Sequence, residues 1–158
     1  MSEFDEAYLL AALRLGAGVD PAPLAVSAAA RAAYALLLPG AVTARPVPVS
    51  RPAGARSPAE PRLHRFAAPD ATIDVELTHA DGRIDVAGQV TGGPWDEGPG
   101  RIEIRTLHDR WVRFPTETGH FAATGLPVGW LSVVWYRAGL PAVATRWMNT
   151  RRLDEADD

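Results

Sequence analysis

The stretch Thr72-Ile73-Asp74-Val75-Glu76-Leu77-Thr78 alternates polar and apolar side chains residue by residue. Successive side chains of a β-strand point to opposite faces of a sheet, so this alternation predicts a strand that buries its three apolar side chains. The pair Asp81-Gly82 follows, and such a pair favours the tight turn of a β-hairpin. Beyond the turn, the period of two continues on one face with Ile84, Val86, Gly88 and Val90. The chain is therefore predicted to contain an antiparallel hairpin with one buried face.

Outward from this hairpin, residues 63–149 contain further short apolar runs separated by turns rich in glycine and proline. Seven or eight short strands at this spacing are typical of a β-sandwich. We therefore expect a mainly β protein, a seven- to eight-stranded antiparallel sandwich of the immunoglobulin or prealbumin kind, with two N-terminal α-helices. Both faces of the predicted strand 128–136 are apolar, which indicates that its outer face is covered. The N-terminal helices are the nearest candidates for this cover, and a partner protein is the other.

Residues 1–40 predict a pair of helices. Apolar residues recur at helical spacing from Phe4 to Leu15, and a glycine-containing segment ends the first helix. Asp20-Pro21 is a second start signal, and residues 22–38 are almost wholly apolar and rich in alanine. Two such helices cannot bury their apolar surface on each other alone. We expect them to dock on the rest of the protein or on a partner.

The remaining segments differ in composition from the helices and strands. Residues 41–62 combine prolines with arginines, which is typical of an extended, semi-rigid linker. These arginines indicate an acidic partner surface or, in the simpler interpretation, a solvated linker. The polar, acidic residues 150–158 predict a disordered tail. The predicted organisation is a helical pair (1–40), a linker (41–62), a β-sandwich (63–149) and the tail.

The composition excludes several chemistries. The 158 residues include no cysteine, which removes disulfides, thiolate metal sites and thiol nucleophiles. Every basic residue is an arginine, so Schiff-base and P-loop lysine chemistry are also excluded. The formal net charge of -3 offers no basic field for nucleic acid.

A membrane segment is not predicted either. The apolar stretch 22–38 is about 17 residues long, at the short limit for a membrane span, and it contains Arg31. The acidic start of the chain is opposite in charge to a signal peptide. We therefore expect a cytoplasmic protein.

The candidate sites for chemistry are few. None of the four histidines lies at metal-ligand spacing, and no nucleophile or phosphate-loop motif is present, so we expect no metal, no cofactor and no catalysis. Trp95 lies in the glycine-rich segment 92–98, where a sandwich loop would bind a ligand, and it is the candidate ligand-binding residue. The remaining tryptophans are expected in the core; they are Trp111, Trp130, Trp135 and Trp147.

The β region contains three short motifs: Gly88-Gln89-Val90, Gly119-His120-Phe121 and Gly125-Leu126-Pro127-Val128-Gly129. Together they resemble the carboxypeptidase regulatory-like domain, a prealbumin-like β-sandwich. In this pattern the glycines allow turn conformations, Phe121 fills the core and Pro127 fixes the entry into the next strand. The resemblance implies the fold and no catalytic activity.

The whole chain, with two helices and a sandwich that closes on Val143-Ala144-Thr145-Arg146-Trp147, resembles a group of small actinobacterial proteins. Members of this group are found beside extracytoplasmic-function sigma factors and CHAT peptidases. The resemblance implies a non-enzymatic, cytoplasmic adaptor or regulator that binds a protein in a sigma-factor or CHAT-peptidase signalling locus. The alternative is a β-sandwich module that binds a small molecule or a glycan.

For an adaptor, the partner-binding residues are predicted on the first helix and the linker. Phe4, Tyr8 and Leu15 have the spacing of a helix laid into a groove. Charges at the rim of an interface steer association, here toward an acidic partner. The rim is predicted to hold three linker arginines, Arg45, Arg51 and Arg56.

Overall fold

The computed structural model of the chain describes residues 3–19, 23–49, 61–93 and 98–153. The chain divides into two compact units, residues 1–38 and residues 39–158. The first is referred to below as the helical unit and the second as the β unit.

The helical unit contains the two predicted helices. Helix α1 spans Glu3–Val19 and helix α2 spans Leu24–Ala35. Helix α2 begins after Pro23, whose carbonyl accepts hydrogen bonds from the amides of Val26 and Ser27. This helix is shorter at both ends than the apolar stretch 22–38 from which it was predicted.

The described residues of the β unit form ten strands in place of the expected seven or eight. They are β1 Val42–Val47, β2 Arg62–Ala68, β3 Ala71–Ala80, β4 Arg83–Thr91, β5 Arg101–Thr106, β6 Arg110–Arg113, β7 His120–Pro127, β8 Trp130–Tyr136, β9 Val143–Thr145 and β10 Met148–Asn149. A short 3-10 helix, Thr150–Leu153, follows. The mainly β class is confirmed.

The hairpin of β3 and β4 forms as predicted. The two strands pair antiparallel along their length, and the alternate residues Ile73, Val75 and Leu77 are buried. The turn residues Asp81 and Gly82 have φ angles of 50° and 72°. Positive φ at both central residues is the geometry that favours an Asp-Gly pair in a two-residue hairpin turn.

The strands form one mixed sheet in the order β6-β5-β8-β9-β1-β2-β3-β4-β7, and β10 pairs with β8. Strand β1 joins the two halves of this order, because Val42–Ala44 pairs in parallel with β9 and Arg45–Val47 pairs antiparallel with β2. The end strands β6 and β7 are bridged by Arg113, whose Nε donates to the carbonyl oxygen of Ala122 at 3.0 Å. The result is a nearly closed, barrel-like sheet. An antiparallel sandwich was expected, but the β1–β9 pair is parallel.

The predicted linker is corrected at its beginning. Residues 42–47 are strand β1, and Ala44 is fully buried in the core with Val42 packed against it. These two side chains follow the period of two that buries one face of a strand, so the segment belongs to the sheet. Residues 50–60 of the predicted linker lie outside the described residues.

The core of the β unit is formed by the inward residues of the strands, and Phe121 lies in it as its motif predicts. Its ring packs over Gly88, where an added side chain would meet the Phe121 ring and the carbonyl oxygen of Asp74. Trp135 is also buried and donates its indole N–H to the carbonyl oxygen of Pro99 at 2.8 Å.

The outer face of β8 is covered, as its apolar pattern predicts. Val134 is fully buried although it lies outside the main core cluster, and Ser132 donates to the carbonyl oxygen of Thr145 at 3.1 Å. Beside them, the Arg105 guanidinium lies 5.8 Å from the ring centroid of Trp147. Residues 145–147 therefore contribute contacts at this face from within the β unit, whereas the helices or a partner were the expected cover.

The predicted disordered tail is corrected at its first residues. Thr150 is buried, and its hydroxyl accepts from the amide of Gly129 at 2.8 Å and donates to the carbonyl of the same residue at 2.9 Å. These two bonds fix the 3-10 helix to the turn between β7 and β8. Residues 154–158 lie outside the described residues.

Candidate functional site

The predicted helical binding residues are exposed where the structure describes them. On α1, the side chain of Tyr8 is 78% exposed and that of Leu15 is 74% exposed. The side chain of Phe4 lies outside the described part. Further large apolar side chains of both helices are exposed: Leu9, Leu10, Leu13, Leu24, Val26 and Tyr34. The helical unit thus presents an apolar surface along both helices.

The other predicted site residues are only partly described. Arg45 is exposed and lies on β1, opposite Ala67 of β2. Arg51, Arg56 and Trp95 lie outside the described residues. Arg45 is therefore placed in the β unit and not in a linker.

One polar row crosses four strands on the outer face of β2, β3, β4 and β7. The pairing registers place Arg65, Asp74, Gln89 and His120 side by side in that order. Arg65 donates to both carboxylate oxygens of Asp74, at 2.7 and 2.8 Å. This hydrogen bond, together with the attraction between the charges, raises the pKa of the Arg65 guanidinium. The first two members of the row therefore form an ion pair in which each charge has its partner.

The last member of the row, His120, is oriented by a hydroxyl network. Its Nδ1 lies 2.9 Å from the hydroxyl of Thr118, which lies 3.0 Å from the hydroxyl of Thr116. Gln89 donates to the carbonyl oxygen of Thr118 at 3.0 Å, which ties β4 to the same turn. The hydroxyl of Thr118 therefore orients the imidazole ring within a hydrogen-bonded turn.

Three members of this row, Asp74, Gln89 and His120, line a shallow groove of about 600 Å³, called the sheet-face groove below. Its walls include two exposed apolar side chains, Leu63 and Phe114, and the exposed Glu76. The guanidinium of Arg113 lines it too, although its Nε and Nη1 already donate to backbone carbonyls. The groove therefore combines apolar walls with one carboxylate that has no partner among the described contacts.

A second concave surface lies at one end of the strands, where the β5–β6 turn, the β7–β8 turn and the 3-10 helix meet. This strand-end cavity has a volume of about 380 Å³. Its described lining includes Thr106, His108, Trp130, Asn149 and Arg151. Trp130 is 45% exposed, which corrects the expectation that it lies in the core. The cavity and its tryptophan were not predicted from the sequence, which favoured Trp95 instead.

Two groups of charged side chains each combine buried and exposed members. On the outer face of β5, Glu103 Oε1 lies 3.6 Å from Arg105 Nε and 3.9 Å from Arg110 Nη1. At the end of β8, Arg137 donates to Asp70 at 2.7 Å and to the carbonyl of Pro141 at 3.1 Å, with its guanidinium 5.3 Å from the Trp135 ring centroid. The hydrogen bond from Arg137 lowers the pKa of Asp70.

Metal-binding clusters and membrane-spanning helices are absent from the described ranges. Among these residues, no group of three or more acidic, histidine or cysteine side chains could hold a metal ion. No described helix is both long enough and apolar enough to cross a membrane.

These observations define a mainly β protein with a nearly closed mixed sheet preceded by two helices. No protein-family model matches the chain, and no curated protein or solved structure matches it either.

Proposed function

We propose that the protein is a non-enzymatic adaptor or regulator that binds a protein partner through its helical unit. The observation that supports this proposal is the exposure of large apolar side chains along both helices, including Tyr8, Leu15, Leu24 and Tyr34. Large contiguous apolar surface on a protein is typical of an interaction site, because covering it with a partner removes it from water.

The proposed partner is a sigma factor or a CHAT-type peptidase, as the resemblance of the sequence implies, and the proposed compartment is the cytoplasm. Apolar side chains of α1 would supply most of the affinity. Arg45, which is exposed on β1, would steer association toward an acidic partner surface. Binding is therefore expected to be faster at low salt than at high salt.

Deletion of residues 1–40 tests this proposal against a purified sigma factor and a purified CHAT peptidase from the same genome. We expect the remaining β unit to stay folded by circular dichroism and to lose binding to the partner. In the full chain, Tyr8→Ser and Leu15→Ser are expected to weaken binding, whereas Val112→Ser, an exposed apolar control on β6, is expected to leave it unchanged. Full binding by the truncated chain would overturn the proposal.

Small-molecule or glycan binding is the second proposed function. It is favoured by one observation, the presence of an exposed aromatic side chain at two concave surfaces of the β unit. Phe114 borders the sheet-face groove and Trp130 borders the strand-end cavity. An exposed aromatic ring beside a cavity provides a flat apolar wall for a ligand.

A further inference from the structure

The strand-end cavity is built from three chain segments that are fixed to one another. The hydroxyl of Thr106 accepts hydrogen bonds from the amides of His108 and Asp109, at 3.4 and 3.0 Å, which shapes the β5–β6 turn. The hydroxyl of Thr150 bonds both the amide and the carbonyl of Gly129. Local hydrogen bonds therefore shape one wall, the Thr150–Gly129 bonds join two others, and the pairing of Thr106 with Leu131 joins β5 to β8, so a ligand would meet a preformed surface.

The polar side chains of this cavity differ in their capacity to donate or accept hydrogen bonds to a ligand. Two side-chain oxygens could accept hydrogen bonds, and both already do so: Thr106 Oγ1 from the turn amides, and Asn149 Oδ1 from the amide of Arg151 at 3.1 Å. The side chains of Asn149 and Arg151 add N–H donors, and the imidazole of His108 adds one donor and one acceptor nitrogen when it is neutral. None of the described residues lining the cavity carries a carboxylate. The cavity is thus rich in donors and positive in charge, which suits an anion.

Trp130 supplies a different kind of surface beside these donors. It pairs with Asn149 across the β8–β10 ladder, so the indole and the amide are neighbours at the same end of the sheet. Its ring is partly exposed at the cavity, and aromatic faces contact flat rings well. A cavity of about 380 Å³ lies in the lower part of the range that small-ligand sites occupy.

We infer that the strand-end cavity binds a small anion that carries one flat ring, with the ring against Trp130 and the carboxylate or phosphate at Arg151 and Asn149. This inference rests on the second proposed function, because it names the ligand class of a binding module. It differs from a general carbohydrate site, since a neutral sugar would leave the guanidinium of Arg151 without an anionic partner.

Titration calorimetry with three probes tests the ligand class. Benzoate carries both ring and charge, benzamide carries the ring alone, and acetate carries the charge alone. We expect benzoate to bind the full chain about tenfold or more tightly than either of the others, because a charge-assisted hydrogen bond is about twice as strong as a neutral one. Equal binding of benzoate and benzamide would overturn the assignment to anions.

Variants of the full chain test the location. Trp130→Ala is expected to weaken benzoate binding by about tenfold, and Trp130→Phe is expected to retain most of it. Arg151→Gln is expected to remove the preference for benzoate over benzamide. Arg146→Gln, an exposed arginine outside the cavity, is the matched control and is expected to change neither. Unchanged benzoate binding by Trp130→Ala and Arg151→Gln, both folded by circular dichroism, would overturn the site.

Glucose, a neutral sugar, is a fourth probe. Its binding distinguishes an error in the anionic ligand class from an error in the second proposed function, ligand binding by the β unit. Glucose binding that Trp130→Ala abolishes, without benzoate binding, would overturn the anionic ligand class and leave ligand binding by the β unit in place. The absence of binding by all four probes at millimolar concentration would count against both.

Discussion

Phe121 and Phe114 are two phenylalanines in opposite environments. Phe121 is 6% exposed and packs over Gly88 in the core, whereas Phe114 is 78% exposed at the wall of the sheet-face groove. Phe121→Ala is expected to lower the free energy of unfolding by about 3–5 kcal/mol, because it leaves a cavity in a close-packed core. Phe114→Ala is the matched control and is expected to cost about 0.5 kcal/mol or less. Urea denaturation measures both, and a loss below about 1 kcal/mol for Phe121→Ala would place the residue outside the core.

Asp70 gives the β unit a defined pH dependence. The hydrogen bond from Arg137 lowers the pKa of Asp70 in the folded state, so the folded state favours the ionised carboxylate. The resulting stability is present above the unfolded pKa of about 3.9 and is lost as the pH falls through the lowered folded pKa. Asp70 is 50% exposed, so solvent screening limits the contribution to about 1 kcal/mol or less.

Asp70→Asn is therefore expected to flatten this part of the stability profile between pH 5 and 2, roughly the range of carboxylate titration. Thermal unfolding across these pH values measures the change. The double variant Asp70→Asn/Arg137→Gln is the control, because Asp70→Asn should have no further effect on pH dependence once Arg137 is absent. A profile identical to that of the unchanged chain would contradict the role of the Arg137–Asp70 pair.

Residue patterns predicted burial well where one face of a strand is polar and poorly where both faces are apolar. In β3 the alternation alone identified Ile73, Val75 and Leu77 as inward. In β8 both faces are apolar, so the sequence could not distinguish Trp130 from Trp135. The pairing of β8 with β5 decides the matter, since Trp135 lies opposite the buried Ile102 and Trp130 falls on the other face. The strand-end cavity was missed for this reason.

At the level of elements, β1 shows why a composition rich in proline was misleading. Pro46 lacks an amide hydrogen and argues against a central strand. However, the half of β1 that contains Pro46 pairs with β2 alone, because pairing with β9 covers only Val42–Ala44. The missing donor therefore falls in a half-strand with one paired edge, where proline is tolerated. Composition averaged over residues 41–62 concealed this strand.

The position of β1 in the sheet predicts a contrast between two adjacent residues. Ala44 is fully buried where β1 passes from β9 to β2, and Thr43 is exposed beside it. Ala44→Leu is expected to lower the free energy of unfolding by about 1–3 kcal/mol, because extra methylenes do not fit a packed core. Thr43→Leu is expected to change it by about 0.5 kcal/mol or less. Equal effects of the two substitutions in urea denaturation would mean that this segment does not pack in the sheet.

At the level of the whole molecule, the β unit is expected to fold without the helical unit. The β unit has its own core and a continuous order of paired strands, and β1 is the strand that joins β9 to β2 within it. A chain that begins at Ala41 keeps β1, whereas a chain that begins at Pro61 lacks it. The prediction from this topology is that the first truncation preserves cooperative unfolding of the β unit and the second abolishes it.

Calorimetry of the two truncated chains checks this prediction. The chain beginning at Ala41 is expected to unfold within about 4 °C of the full chain, a shift that corresponds to about 1 kcal/mol for a domain of this size. The chain beginning at Pro61 is expected to show no cooperative transition, because the sheet would be left as two hydrogen-bonded groups without the strand between them. A cooperative transition of unchanged midpoint in the shorter chain would show that β1 is dispensable. Loss of the transition in the longer one would show that the helical unit contributes to the core, and the apolar side chains of α1 and α2 would then be needed for folding before any partner.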